Sequence, residues 1–344
     1  MIQQHGGNIS RLENILDFSA NINPLGVLDS VKKAILECIP NIEKYPDPYC
    51  IELRSKLSEY ENISAQHIVC GNGADDLIFR IIYAFKPKKA LICAPTFSEY
   101  SRALEECGCE ITVHHLDEEN NFDITDSFFY DFDESIDMCI LSAPNNPTGR
   151  LITPDLQEAI VKKCKNNGTI LVCDECFMGF VKNEEDYTFK NYLSENIIIL
   201  KAFTKTFAMP GIRLGYAVCG DSSAAEIIQN IGQFWSVSSI AQEAGIAALD
   251  ELDHLRRSAE YIEEERDYLY EELRSMKIKV FESSANFLLF RSISDLAEKL
   301  LGYNILIRDC RNFRGLTEGF YRIAVRTHEE NIKMIAALRR CLNG

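Results

Sequence analysis

Short apolar runs alternate with amphipathic stretches between about residues 65 and 220, and that alternation predicts an α/β fold. The runs are continuously apolar, as in strands buried on both faces, so the expected sheet is mostly parallel and covered by helices. The flanks differ in character, with a turn-rich opening and a charged helical stretch followed by two strands. The two ends are therefore expected to fold together as a small α+β domain beside the large one. A length of 344 residues suits one large or two modest domains.

The opening Asn21-Ile22-Asn23-Pro24-Leu25-Gly26 reads as turns, and residues 29–39 follow as an amphipathic helix. Strands are expected at 90–94, 110–115, 138–143, 169–174, 197–201 and 214–219. Between them Leu77, Ile78, Ile81, Ile82 and Phe85 share one helical face, as do Leu156, Ala159 and Ile160. Residues 238–275 read as helical, with Glu263-Glu264-Glu265-Arg266 on a solvated face. Strands at 284–290 and 320–325 precede a last helix over 328–342, which Thr327-His328-Glu329-Glu330 opens like a capped N-terminus. The expected division is 45–235 for the large domain, and 1–44 with 236–344 for the small one.

An apolar share of 46% supports a substantial core. The 36 Lys and Arg against 52 Asp and Glu leave a formal charge of −16, which disfavours nucleic acid as a partner. No run approaches the roughly 18 apolar residues of a membrane helix. Met1-Ile2-Gln3-Gln4-His5-Gly6-Gly7 lacks the pattern of a secretory signal, so a cytoplasmic protein is expected. Most of the 13 cysteines sit in apolar runs, like Cys93 and Cys139, and read as small buried hydrophobes. Cys173 and Cys176 have C-x-x-C spacing, but no second pair has zinc-ribbon spacing, and no metal is expected.

Four segments carry chemistry. Lys205, in Thr204-Lys205-Thr206, follows an apolar strand, with Arg213 eight residues on. A lysine at the end of a buried strand can be desolvated into a nucleophilic amine that forms a Schiff base, although alone it also reads as a loop lysine. Asp174 ends another strand, where a buried carboxylate needs a cationic partner such as a pyridinium nitrogen; alone it reads equally as a cap. Ala143-Pro144-Asn145-Asn146-Pro147-Thr148-Gly149 forms a turn whose asparagines can donate to a phenolic oxygen. Gly71-Asn72-Gly73-Ala74-Asp75-Asp76 runs from strand into helix and offers backbone N–H groups to a phosphate.

In this order the four segments resemble the fold-type I pyridoxal phosphate enzymes of the aspartate aminotransferase superfamily, over nearly the whole chain. The resemblance implies pyridoxal 5'-phosphate as cofactor, bound covalently by Lys205, with Asp174 on the pyridine nitrogen and Asn146 on the phenolic oxygen. It assigns the cofactor phosphate to Gly73, the amides of Ala74 and Asp75, Thr204 and Arg213. Phe97 stacks on the ring in this reading, with Tyr100 as the alternative. Tyr45 corresponds to a tyrosine that reaches the phosphate of a neighbouring subunit, which implies a homodimer with shared active sites. Two positions depart from the pattern: Ala202 stands where a hydroxyl residue is frequent, and Phe177 where many aminotransferases carry tyrosine.

The termini narrow the resemblance. His5-Gly6-Gly7-Asn8-Ile9, the run from Leu16 to Gly26, Tyr45-Pro46-Asp47, the run from Pro95 to Tyr100, Trp235-Ser236-Val237, Arg308 and Arg322 resemble the threonine-phosphate decarboxylases of the cobalamin pathway. Histidinol-phosphate aminotransferases are similar too, but they usually have Asn-Glu-Asn-Pro where this chain has Asn21-Ile22-Asn23-Pro24. The implied reaction is decarboxylation of O-phospho-L-threonine to (R)-1-amino-2-propanol O-2-phosphate, with a phosphoserine decarboxylase or a histidinol-phosphate-type aminotransferase as the alternatives. His5, Asn21, Asn146, Arg308 and Arg322 are the implied substrate-binding residues. Taken singly, His5 also reads as a frayed terminus and Arg322 as a salt-bridge residue. Arg311, Arg314 and Arg326 add to a basic C-terminal cluster, which favours an anionic small molecule.

Overall fold

The computed structural model describes residues 5–8 and 14–343. In chain order come β1 (Leu16–Asp17), α1 (Asp29–Cys38), α2 (Ile51–Glu61), β2 (Ile68–Gly71), α3 (Ala74–Phe85) and β3 (Lys89–Ala94). Then follow α4 (Ser98–Glu106), β4 (Glu110–His115), β5 (Met138–Ser142), α5 (Pro154–Asn167), β6 (Ile170–Asp174) and β7 (Ile197–Ala202). The one-turn α6 (Phe203–Thr206) leads into β8 (Gly215–Cys219), α7 (Ser222–Ile231), α8 (Ser239–Leu249) and α9 (Asp253–Ser275). The chain closes with β9 (Lys279–Val280), β10 (Phe287–Arg291), α10 (Leu296–Leu301), β11 (Ile305–Leu306), β12 (Arg308–Asp309), β13 (Phe320–Ala324) and α11 (His328–Asn343).

A seven-stranded sheet in the order β2-β8-β7-β6-β5-β3-β4 forms the centre. The block from β7 to β4 is parallel, and β8 runs antiparallel to both of its neighbours. Successive residues of each strand feed opposite faces: Leu91, Cys139, Leu171 and Cys173 enter one apolar cluster, and Ile92, Ile140 and Val172 the other. Both faces are covered, which explains the uninterrupted apolar runs. Register aligns Ser142 with Asp174 and Asp174 with Leu200, so β5, β6 and β7 deliver their outgoing loops to a single edge.

A four-stranded antiparallel sheet, β12-β13-β10-β9, builds the C-terminal unit. Parallel pairing of Leu16 and Asp17 with Ile305 and Leu306 brings the start of the chain to it, and Phe18 enters its core with Ile262, Leu269 and Phe287. Val31 of α1, by contrast, packs with Ala241, Ala244 and Ala248 of α8 in the cluster beneath the large sheet. The apolar faces of 29–38 and 239–249 therefore meet within that cluster.

Expected strands agree with those found to within a residue or two, except that β10 starts at Phe287 rather than 284 because residues 281–286 form the turn that meets Gly149. The stretch expected as helical from 238 to 275 is two helices with a break at 250–252, where the two parts turn to different cores. Helix α2 escaped the reading of periodicity because its buried stripe is only Leu53, Leu57 and the charged Glu61. No helix among the described residues is long and apolar enough to cross a membrane.

Candidate active site

The most spacious of the described cavities, about 240 Å³, opens beyond the C-terminal ends of β5, β6 and β7, against the C-terminal unit. Parallel sheets place ligands at this edge because each strand releases its loop there. The two other described cavities, of about 30 and 10 Å³, hold no more than a water or two.

Lys205 projects from α6, directly after β7. The opening segment of the chain fixes this turn: the Asn23 amide donates to the Lys205 carbonyl at 3.1 Å, and Asn23 Nδ2 donates to the Thr206 carbonyl at 2.7 Å. Burial, with the Arg322 and Arg213 guanidiniums adding to it, brings the Lys205 ammonium down to about 8. Its Nζ lies 6.0 Å from the centre of the Phe177 ring.

Asp174 sits buried at the last position of β6. Its Oδ1 accepts from the Cys176 amide at 2.9 Å and its Oδ2 from the Tyr100 hydroxyl at 2.5 Å. The two asparagines of the 143–149 turn have separate tasks. Asn145 ties the turn down, donating to the Pro95 carbonyl at 3.0 Å and to Thr148 Oγ1 at 3.0 Å while accepting from Thr96 at 2.8 Å. Asn146 lines the cavity, where its Oδ1 accepts from Arg322 Nη1 and its Nδ2 is left to donate.

An anion cradle forms where β2 meets α3. Gly73 has φ +86°, and a Cβ at that position would stand 2.6 Å from Arg213 Nη2. Glycine thus lets the guanidinium close on the helix N-terminus, where Ala74 and Asp75 present amides without intrahelical acceptors. Thr204 and Ala202 line the same cavity, so the hydroxyl missing at 202 is missing within the site itself. Burial and the nearby Glu99 raise the Asp75 carboxyl above its ordinary range. Phe97 also lines the cavity, edge-on to Tyr100 at 5.6 Å.

Across the cavity stand two buried arginines. Arg322 donates to the Ser19 carbonyl at 2.9 Å as well as to Asn146, so both acceptors are neutral, and burial pushes its guanidinium down to about 10. Arg308 donates to the Asp309 carbonyl and to Asn312 Oδ1, each at 2.7 Å, and lies 5.2 Å over the Phe313 ring. Asn21 lines the cavity with its buried Oδ1 lacking a hydrogen-bond partner among the described residues. His5 closes the rim, its Nε2 2.9 Å from Glu99 Oε1.

Not every expected contributor reaches the cavity. Arg311 pairs with Asp309 and Glu318 and Arg326 with Glu330, so these two balance local charge, while Arg314 is exposed; none of the three lines the cavity. Tyr45 is 78% exposed and stacks on Trp235 at 4.3 Å, away from the cavity of its own chain. Ser19, Asn312 and the Tyr100–Asp174 contact went unseen in the sequence. For Ser19 the ligating atom is a backbone carbonyl, which side-chain identity does not signal.

The pattern of the class I and II aminotransferases matches residues 13–338. Threonine-phosphate decarboxylase of Salmonella typhimurium is 36% identical over 352 aligned residues, covering 99% of this chain and 97% of that protein. Among solved structures, the histidinol-phosphate aminotransferase of Clostridium acetobutylicum superposes with a TM-score of 0.90 at 32% identity, covering 96% of this chain and 99% of that one. The L-threonine-O-3-phosphate decarboxylase of Porphyromonas gingivalis gives 0.84 at 27% identity, covering 95% and 99%.

The cavity's donor set fits pyridoxal 5'-phosphate. The amides at the N-terminus of α3 with Arg213 can take the dianion, Asn146 Nδ2 the phenolic oxygen, Asp174 the ring nitrogen, and the Lys205 amine the aldehyde. At pH 7.5 an amine titrating near 8 is roughly one-quarter neutral, against about one part in a thousand for an ordinary lysine. Only the neutral amine is nucleophilic. Cofactor uptake by the apo-protein, followed by stopped-flow absorbance, is therefore expected to accelerate from pH 7 and level off above about pH 9. A rate still climbing tenfold per pH unit beyond that point would return Lys205 to an ordinary amine.

Proposed function

The chain belongs to the class I and II aminotransferase family, and on that premise we propose that it uses pyridoxal 5'-phosphate to decarboxylate O-phospho-L-threonine, releasing (R)-1-amino-2-propanol O-2-phosphate for cobalamin biosynthesis. The observation that carries this reading is the pair Arg308 and Arg322, both buried at one cavity. A phosphorylated amino acid brings two anions at once, a carboxylate and a phosphate, and arginine's planar fork suits both. Histidinol phosphate brings only one.

Bound pyridoxal phosphate supplies an electron sink for the pair left when the Cα–carboxylate bond breaks. The chain's own residues set which bond that is. Arg322, anchored by Ser19 and oriented toward Asn146, and Arg308, braced by Asn312, hold the two anions. Asn21 and His5 complete the polar rim. Phe177, buried against Phe287 with ring centres 5.1 Å apart, offers no hydroxyl to the phenolic oxygen, leaving Asn146 as the donor from these two positions. Lys205 returns a proton to Cα after carbon dioxide departs.

The test is carbon dioxide release from phosphothreonine, phosphoserine and histidinol phosphate in parallel, with and without a keto acid. Release from phosphothreonine alone supports the decarboxylase; turnover that requires the keto acid supports the aminotransferase reading instead, in which Lys205 removes the Cα proton. Arg308→Ala and Arg322→Ala are each expected to lower kcat/KM for phosphothreonine at least tenfold, about 1.4 kcal/mol, without displacing the cofactor. Toward unphosphorylated threonine the two variants should diverge, because only the phosphate-binding arginine has no partner there. Unchanged kinetics in both would remove the substrate assignment.

The same reading makes the protein a cytoplasmic homodimer in which Tyr45 reaches the cofactor phosphate of the partner subunit. Its support is an exposed aromatic face, where Tyr45 stacks on Trp235 and Tyr49 meets Phe234 edge-on at 5.8 Å. Sedimentation of the holoenzyme at the mass of one chain would count against it.

A further inference from the structure

We propose that Tyr100 is a positioning residue for Asp174, holding the carboxylate so that a free lone pair is directed at the ring nitrogen of the cofactor. The inference depends on the cofactor and not on which amino acid is the substrate. Tyr100 is fully buried in α4, and its hydroxyl reaches Oδ2 of Asp174 at 2.5 Å. The Cys176 amide holds Oδ1 at 2.9 Å. Two donors from separate elements fix both torsions of the carboxylate, and each oxygen keeps a further acceptor position.

The Phe97 ring packs edge-on against Tyr100 and restricts it in turn. Burial and then the Asp174 charge hold the Tyr100 phenol well above its ordinary value, so it remains a donor across the working range. A hydrogen bond between a phenol and a carboxylate is charge-assisted and roughly twice as strong as a neutral one. A donor on a carboxylate also weakens its pull on a proton it shares with a second base, here the ring nitrogen. Tyr100 thereby favours the protonated ring, the form that withdraws electrons. The other titratable and charged groups around the pair are Glu175 and Cys176 beyond β6, Lys205 on α6, and Arg213 and Arg322.

Tyr100→Phe removes the hydroxyl and keeps the ring. Tyr216→Phe is the matched control, because Tyr216 is also buried and donates at 2.6 Å to a carboxylate, Glu61, outside the cavity. In the holoenzyme, Tyr100→Phe is expected to move the pH midpoint of the cofactor's visible band by about half a unit or more. It should also lower kcat on the order of tenfold with KM within about threefold. Tyr216→Phe should leave the band titrating as in the unaltered protein. In an Asp174→Asn background the Tyr100 effect on the band should vanish. A Tyr100→Phe band that titrates normally, an equal shift from Tyr216→Phe, or a full shift in the Asp174→Asn background would each overturn the proposal. The spectral measurement needs no substrate, so it decides this question even if phosphothreonine proves to be the wrong one.

Discussion

Lys205→Ala is expected to abolish the visible absorbance of the covalent lysine–cofactor adduct and to lower turnover by roughly 10⁴-fold or more, since the proposed nucleophile and proton donor at Cα are both lost. The protein should still fold. Lys205 is held below its ordinary range by burial and by Arg322 and Arg213, so its removal relieves repulsion without leaving a carboxylate stranded. Cofactor should remain weakly bound through Arg213 and the start of α3, without the covalent link. Circular dichroism checks the fold, absorbance of the purified variant the cofactor, and a carbon dioxide assay the turnover. A variant with near-normal turnover would remove Lys205 from the chemistry.

Asp174→Asn is the second large effect. Asparagine has the same shape, and its amide oxygen can still accept from Cys176 or Tyr100, so the fold and the phosphate cradle should persist. What is lost is the negative charge that, in the proposed role of Asp174, keeps the ring nitrogen protonated. Unpairing a buried charge costs about 3–5 kcal/mol, so turnover should fall roughly 10²- to 10⁴-fold while much of the cofactor stays bound. Equal turnover in both proteins would reduce Asp174 to a strand cap.

The cofactor side of the site was legible because its residues sit where strands end. Asp174 closes β6, Lys205 follows β7 within one turn, and Gly73 stands between β2 and α3. The end of an apolar run makes each a candidate, and the resemblance of the four segments taken together gives them their roles. The substrate side was less legible. Five arginines between 308 and 326 look alike in sequence, yet only Arg308 and Arg322 line the cavity, and the partners that neutralise Arg311 and Arg326 are near in sequence too. What separates them is the strand pairing of Arg308 with Arg322 on β12 and β13, which sets both at the same edge.

The sequence by itself determined the α/β class and the parallel strands of the central sheet, and its resemblance to the fold-type I pyridoxal phosphate enzymes singled out Lys205, Asp174 and Asn146. The class and strands follow from periodicity and the three residues from short motifs that match a family, and both are properties of short stretches. Tertiary structure alone decided which neighbour each side chain meets. Asn145 and Asn146 are adjacent and chemically identical, but one ties down a turn while the other faces the cavity beside Arg322, 176 positions away. Tyr100 reaches Asp174 across 74 positions, and Asn23 clamps Thr206 across 183. No local pattern encodes such pairs, because their partners are set by how the sheet, α4 and the two chain ends pack, and packing is a property of the whole chain.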